Sequence, residues 1–337
     1  LLAHSILRQD SGFDWDNHLE DHDSFFVGSN VYYSYIVHNG LWQLFMQQKT
    51  LEGYLTAASE LRKEMLIGSF PDPIREGFLK MLDYYGQYPI IIRSSSLLED
   101  GFGNAFAGKY ESFFCVNQGS PEERLEQLED AIRKVFASAM SEDALSYRLQ
   151  RGLDQQDEQM ALLVQRVSGS YRQKYFFPEL AGVGVSYNTF VWDKEMDPRA
   201  GMLRLVLGLG TRAVDRVEDD YPRIVALDAP QKRPHHGFDD VRKFSQRDVD
   251  LLNISENSLQ TVSILALTRE NVDIPWRKYA VQDQETMQRL AQRGKEKQDV
   301  WLLTFDQVFA EGKFHELMKK MLKTLEKAYD YPCLLYT

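Results

Sequence analysis

A short β-branched run, Ile90-Ile91-Ile92, is bounded by Pro89 on one side and by Arg93-Ser94-Ser95-Ser96 on the other, and a turn-rich stretch from Glu99 to Gly108 follows. So short and so bounded, the run predicts a buried strand. Tyr110 to Val116 first alternates and then continues as a second β-rich run, so the segment reads as strand, polar Gly-rich loop, strand. A strand that ends in an Arg and three hydroxyl residues, ahead of a loop of small residues, has the parts that hold phosphate groups. Arg offers a charged fork, Ser offers hydroxyl donors, and glycines let backbone N–H groups come close to oxygen. Two readings of Arg93 are open at this level: a contact to phosphate oxygens, or a surface ion pair with Glu99 or Asp100.

The flanking sequence is built of interleaved helices and strands. Val31 to Met46 and Ile74 to Tyr85 have helical spacing. Ser120-Pro121-Glu122-Glu123 is a strong helix start, with a capping Ser, a Pro at the first helical position and a Glu that completes a capping box. Leu125, Leu128, Ile132, Val135 and Ala139 then share one face, which predicts an amphipathic helix packed on a sheet. Further strands are expected at Met160 to Val167, Gly182 to Phe190 and Met202 to Leu207, the last running into Gly208-Leu209-Gly210. Pro230 to Arg242 reads as an exposed connection and Ser245 to Thr268 as strand-like pieces. Phe314, Leu317, Met318, Met321, Leu322 and Leu325 make the stripe of a last helix. Such interleaving predicts a mixed architecture in two lobes.

Composition narrows the partners. With 337 residues, 43% of them apolar, the chain can fill more than one core. Its net charge of −11 gives no global positive field for a nucleic acid or an anionic membrane, so a polyphosphate must be held by a local pocket. Cys115 and Cys333 are too few for a disulfide framework or a Cys-rich zinc site. No apolar run approaches the roughly 18 to 20 residues of a membrane span, and a cytoplasmic protein is expected. The chain opens at Leu1 without a Met and stops at Thr337, so it is read as part of a longer protein.

The run from Ile92 through Arg93-Ser-Ser-Ser-Leu-Leu-Glu-Asp-Gly-Phe-Gly-Asn-Ala-Phe-Ala-Gly108 to Phe114 resembles the signature of the ATP-binding domain of phosphoenolpyruvate synthase, pyruvate phosphate dikinase and related water dikinases. Further pieces arrive in that family's order: Ala144-Leu145-Ser146-Tyr147-Arg148, the strand from Met160 to Val167, Ala181-Gly182-Val183-Gly184-Val185-Ser186, and Gly208-Leu209-Gly210. The resemblance covers Pro89 to Tyr221 well and Leu302 to Pro332 more loosely. It implies an α+β fold of ATP-grasp type, two lobes that sandwich a nucleotide. The expected organisation is residues 1–70 of uncertain role, a first lobe at 71–167 and a second at 168–337 with an insertion at about 230–284. Residue by residue, the resemblance puts Arg93 on phosphate oxygens as the catalytic contact, with Ser94 and Ser95 beside it. It brings the backbone at Gly108 up to the phosphates, sets Ser112 where the family has a Thr hydroxyl, and sets Gln165 near the adenine. Without it, Gln165 also fits a strand-end residue satisfied by backbone, and Ser112 an exposed strand position. ATP and Mg²⁺ are the implied cofactors. The implied partners are the phosphohistidine and phosphoenolpyruvate/pyruvate-binding domains of the full-length protein, with no nucleic acid and no membrane.

The sequence also departs from the family. Thr211 stands where Gly-Leu-Gly is followed by Glu, and Lys109 replaces a Gln. Asp215, Glu218, Asp219 and Asp220 either supply a carboxylate nearby or form a solvated acidic turn. No Gly-Gly-Lys segment precedes Pro89. The family's metal-binding Asp-Ile-Glu after a Pro is replaced by Cys333-Leu334-Leu335-Tyr336-Thr337, so the metal ligands stay unassigned. His235-His236 could be a metal pair, although adjacent turn residues seldom converge. Three functions are therefore open: a dikinase-type phosphotransferase module that binds Mg-ATP and donates phosphate to a histidine on a separate domain, a catalytically degenerate nucleotide-sensing or scaffold domain, and a carboxylate–amine ligase.

Overall fold

The computed structural model describes residues 2–21, 23–99, 108–215, 217–234, 237–293, 299–311 and 313–336. Residues 100–107 of the Gly-rich loop, and His235-His236 with the metal reading attached to them, lie outside that set. The chain forms two compact units. One comprises residues 22–167 and 256–258, the other residues 1–21, 168–255 and 259–337.

The first unit is built on a four-stranded sheet of β1 (Ser24–Val27), β2 (Ile90–Ser96), β3 (Ser112–Cys115) and β4 (Met160–Arg166), in the order β1-β4-β2-β3 and antiparallel throughout. The strand expected at Pro89 to Ile92 runs on through the hydroxyl residues, because the β4 ladder continues to Ser96, opposite Met160. Ladder pairing here overrides the weak strand preference of three serines. Helices cover one sheet face. Pro121–Ser138 packs on β2 and β3, and Ser29–His38 packs on β4. The capping box at Ser120 and Glu123 is formed in both directions, and Leu128, Ile132, Val135 and Phe136 of that helix are buried to 0% exposure. Full burial of each contributes about 1.5 to 3 kcal/mol. The single helix expected over Val31 to Met46 is two, Ser29–His38 and Trp42–Gln48. Gly40, at a φ of +69°, turns the chain between them in a conformation that a β-carbon would strain.

The second unit holds three antiparallel sheets. The largest joins β7 (Ala181–Val185), β8 (Met202–Val206), β9 (Arg223–Ala226) and the C-terminal β14 (Leu334–Tyr336), in the order β14-β7-β8-β9. Another joins β5 (Ser170–Arg172), β6 (Tyr175–Phe177), β10 (Asp248–Asn253) and β11 (Ser258–Ser263), and β12 (Ala280–Gln282) pairs with β13 (Trp301–Leu303). The stripe of the last helix, Phe314–Tyr329, packs on β7 and on the helix Leu2–Gln9. Leu7 and Trp15 enter the same core as Leu322 and Leu325. Residues 1–70 are thus shared between the units. The exposed connection expected from Pro230 to Arg242 ends in a short helix, Phe238–Lys243, with Asp239 and Asp240 in its first turn and Arg242 and Lys243 in its last. The strand at Gly182 stops at Val185 rather than Phe190. None of the helices among the described residues is long and apolar enough to cross a membrane. The architecture is α+β, as expected.

Candidate functional site

Residues paired directly across an antiparallel ladder leave the sheet on the same side, so the register of the first unit sorts the expected site residues by face. Arg93 pairs with Ser112 on β3 and with Leu163 on β4, and Leu163 pairs with Phe26 on β1. The neighbouring row of the same face is Ser24, Gln165, Ile91 and Phe114, and Ser95 follows Arg93 along β2 by strand alternation. Arg93, Ser95, Ser112 and Gln165 therefore stand together on the face opposite the helices. Arg93, Ser95 and Ser112 are exposed, and the ion pairs among the described residues do not include Arg93. Gln165 is half-buried, and its amide nitrogen donates to the Ser24 hydroxyl at 3.2 Å. Between these polar groups lies an apolar strip made by Ile91, Leu163, Phe114 and the exposed ring of Phe26. A flat strip of this kind beside an exposed guanidinium suits a ligand with a planar apolar part and an anionic part.

Ser94 alternates to the helix-covered side, and its hydroxyl donates to Glu99 at 2.7 Å. The other oxygen of Glu99 accepts from the Ser96 backbone N–H at 2.8 Å. Glu99 is thus engaged with the strand end rather than with Arg93, and Asp100, the other expected ion-pair partner, lies outside the described residues. Gly108 is exposed and has a φ of +73°, and no described residue approaches where a β-carbon would sit.

A buried carboxylate that has no signal in the sequence fastens both ends of this loop. Glu158 is 2% exposed. It accepts hydroxyl hydrogen bonds from Ser96 at the end of β2 and from Tyr110 ahead of β3. Burial pushes its pKa above the ordinary glutamate value, against the opposing pull of those two donors and of Arg148. Glu158 sits just before β4 in an otherwise polar turn, and nothing about that context distinguishes it from a surface acid.

In the second unit, the Gly208-Leu209-Gly210 turn leads into a short helix that begins at Thr211. Gly208 has a φ of +91°, and a β-carbon there would come within 2.4 Å of Val249 and 2.7 Å of the Asp250 carbonyl, so only glycine fits. The carboxylate next to Thr211 comes from β10: the Thr211 hydroxyl donates to Asp250 at 2.7 Å, and Arg212 pairs with the other oxygen at 3.0 Å. Of the downstream acids, Asp220 is taken up by Arg212 and by the Arg247 backbone. β14 pairs with β7, Leu334 opposite Val185 and Tyr336 opposite Val183. It carries Leu334, Leu335 and Tyr336 where the resemblance would need carboxylates, and among the described residues no three His, Cys, Asp or Glu side chains converge as a metal site. The described residues do not fit a resident Mg²⁺.

Comparison with known proteins bears on this geometry. Over 155 residues the chain is 26% identical to phosphoenolpyruvate synthase of Neisseria meningitidis serogroup B, an alignment that covers 42% of this chain and 19% of that protein. The chain thus spans about a fifth of the length of this curated relative. A family model described as pyruvate phosphate dikinase, AMP/ATP-binding domain, matches residues 12–333. It takes in both sheet-bearing units, in keeping with an α+β fold of ATP-grasp type. By that match the chain belongs to the AMP/ATP-binding domain family of pyruvate phosphate dikinase.

Proposed function

We propose that this chain is the nucleotide-binding module of a phosphoenolpyruvate synthase- or pyruvate phosphate dikinase-like phosphotransferase, and that it binds ATP and donates a phosphoryl group to a histidine on a separate domain. The observation that carries the reading is the shared face of Arg93, Ser112 and Gln165, set in register across three strands. On this reading the apolar strip takes the purine ring, Gln165 reads its edge by hydrogen bonding, and Arg93 holds phosphate oxygens with charge-assisted bonds. In the transfer, a P–O bond of the nucleotide breaks as an N–P bond to the imidazole forms, and the imidazole gives up its proton. Mg²⁺ would enter with the nucleotide, carried on its phosphates. The acceptor histidine and the phosphoenolpyruvate/pyruvate site would belong to other domains of the full-length protein.

The bare β14 and the engagement of Thr211 with Asp250 favour a second reading, a nucleotide-sensing domain that keeps the fold without transfer. Calorimetric titration of ATP with and without Mg²⁺, joined to labelling of the full-length protein by radioactive ATP, separates the two. Phosphotransferase function predicts Mg²⁺-dependent binding and acid-labile, base-stable label. Metal-independent binding with no label would leave the sensing reading, and a protein that does not bind ATP would end both.

A further inference from the structure

A cavity of about 660 Å³ lies beside β8 and β9, walled entirely by residues of the second unit. That volume is in the range of small-molecule sites and is far more than a lone inorganic ion fills. Part of its wall is apolar, with Phe190, Met202 and Phe244, and part is cationic, with Arg223 and Arg233. Arg223 is the unusual member. It is 8% exposed, and its position at the start of β9 is set by pairing with Leu205 on β8. Its terminal nitrogens donate to the carbonyls of Ile224 at 2.9 Å and Pro230 at 3.1 Å, and its Nε is buried without a hydrogen-bond partner. No carboxylate among the described residues forms an ion pair with it. The neighbouring guanidinium differs, since Arg233 is gripped by both oxygens of Asp306 at 2.6 and 2.8 Å.

A buried cation whose hydrogen bonds go only to carbonyls, with the nearby Asp306 carboxylate already gripped by Arg233, is poorly compensated, and the site is improved by any anion that reaches it. Burial and the nearby charge of Arg233 push the Arg223 pKa down to about 10, which is the mark of that deficit. Asp215 and Asp240 also line the cavity and oppose a ligand with several negative charges. We propose that this cavity binds a small organic anion, a carboxylate or a phosphate monoester with one anionic end on Arg223 and an apolar body against Phe190, Met202 and Phe244. The proposal uses none of the residues assigned to ATP and does not depend on that assignment.

Calorimetric titration of the full chain with phenyl phosphate, benzoate and inorganic phosphate, with ATP in parallel, tests it. Phenyl phosphate or benzoate is expected to bind at sub-millimolar concentration and at least tenfold more tightly than inorganic phosphate. Arg223→Met should weaken that binding at least tenfold and leave ATP affinity unchanged. Thr189→Trp, which places bulk at the exposed rim of the cavity, should weaken it as well, and it serves as the test if Arg223→Met does not fold. Failure of both organic probes to bind, binding that neither variant alters, inorganic phosphate binding as tightly as the organic probes, or full displacement of the probes by ATP would each overturn the proposal.

Discussion

Ser96 and Tyr110 donate their hydroxyls to the two oxygens of a single buried carboxylate, Glu158. The contact ties the end of β2 to the approach to β3, so the anchoring of these two flanks depends on a residue distant in sequence. Glu158→Gln keeps the side-chain volume and replaces one acceptor oxygen with a donor, which leaves one hydroxyl unpaired. A loss of about 1 to 3 kcal/mol is expected, read from denaturant midpoints. The pH dependence follows from the direction of the shift. The native state holds the Glu158 proton more tightly than the unfolded chain does, so this group's contribution is greatest at low pH and is lost as pH rises through the raised native pKa. Glu158→Gln should flatten that part of the profile. Parallel profiles for the two proteins would exclude Glu158 as the group responsible.

Arg93 is exposed and in no ion pair among the described residues, so Arg93→Ala should leave stability within about 0.5 kcal/mol of the wild type. On the nucleotide reading, ATP affinity should fall by roughly 1.5 to 3 kcal/mol, or about ten- to a hundredfold. Calorimetry on the purified variant checks both halves, and an unchanged dissociation constant would remove Arg93 from the site.

Gln165 is held by Ser24 on the neighbouring strand. Gln165→Ala should narrow the preference for ATP over GTP while leaving the affinity for inorganic tripolyphosphate nearly unchanged. Ser24→Ala should act in the same direction more weakly, by freeing the amide to rotate. Competition binding with the three ligands measures this, and equal losses for all of them would contradict the placement at the base.

The capping box of the helix Pro121–Ser138 offers a check on local energetics that is independent of function. Ser120→Ala removes the acceptor for the Glu123 backbone N–H, which lies 3.2 Å away. It should cost about 1 kcal/mol, seen as a lower thermal midpoint with the far-ultraviolet dichroism of the folded state unchanged.

What could be read in advance depended on whether the deciding interaction was local. The helix after Ser120 was legible because its cap, its first-turn Pro and its apolar stripe all lie within one short window. The strand at Ile90 was legible for the same reason. Its extension through Ser96 was not, because it depends on a ladder to β4, distant in sequence. The break at Gly40 was hidden by apolar residues that keep helical spacing on either side. Within the candidate site, the types and order of Arg93, Ser112 and Gln165 could be read from sequence, but their common face followed only from the register. Ser94 could not be told from Ser95 until alternation turned it to the other side. Glu158 and Asp250 went unseen because an acidic residue in a polar turn or on a strand says nothing of the distant hydroxyl it will meet.

The division of residues 1–70 has a consequence for biosynthesis. Residues 22–167 supply nearly all of one unit and emerge from the ribosome in a single stretch, so that core can close while translation continues. Leu7 and Trp15 are made before that stretch, yet their packing partners on the helix Phe314–Tyr329 are made well after it. The segment that carries Leu7 and Trp15 must therefore wait, with its apolar side chains unsheltered, while residues 22–167 and much of the other unit are made. Protection of nascent chains by general chaperones should be strongest over this interval, and moving residues 1–21 to follow the helix Phe314–Tyr329 directly should shorten it.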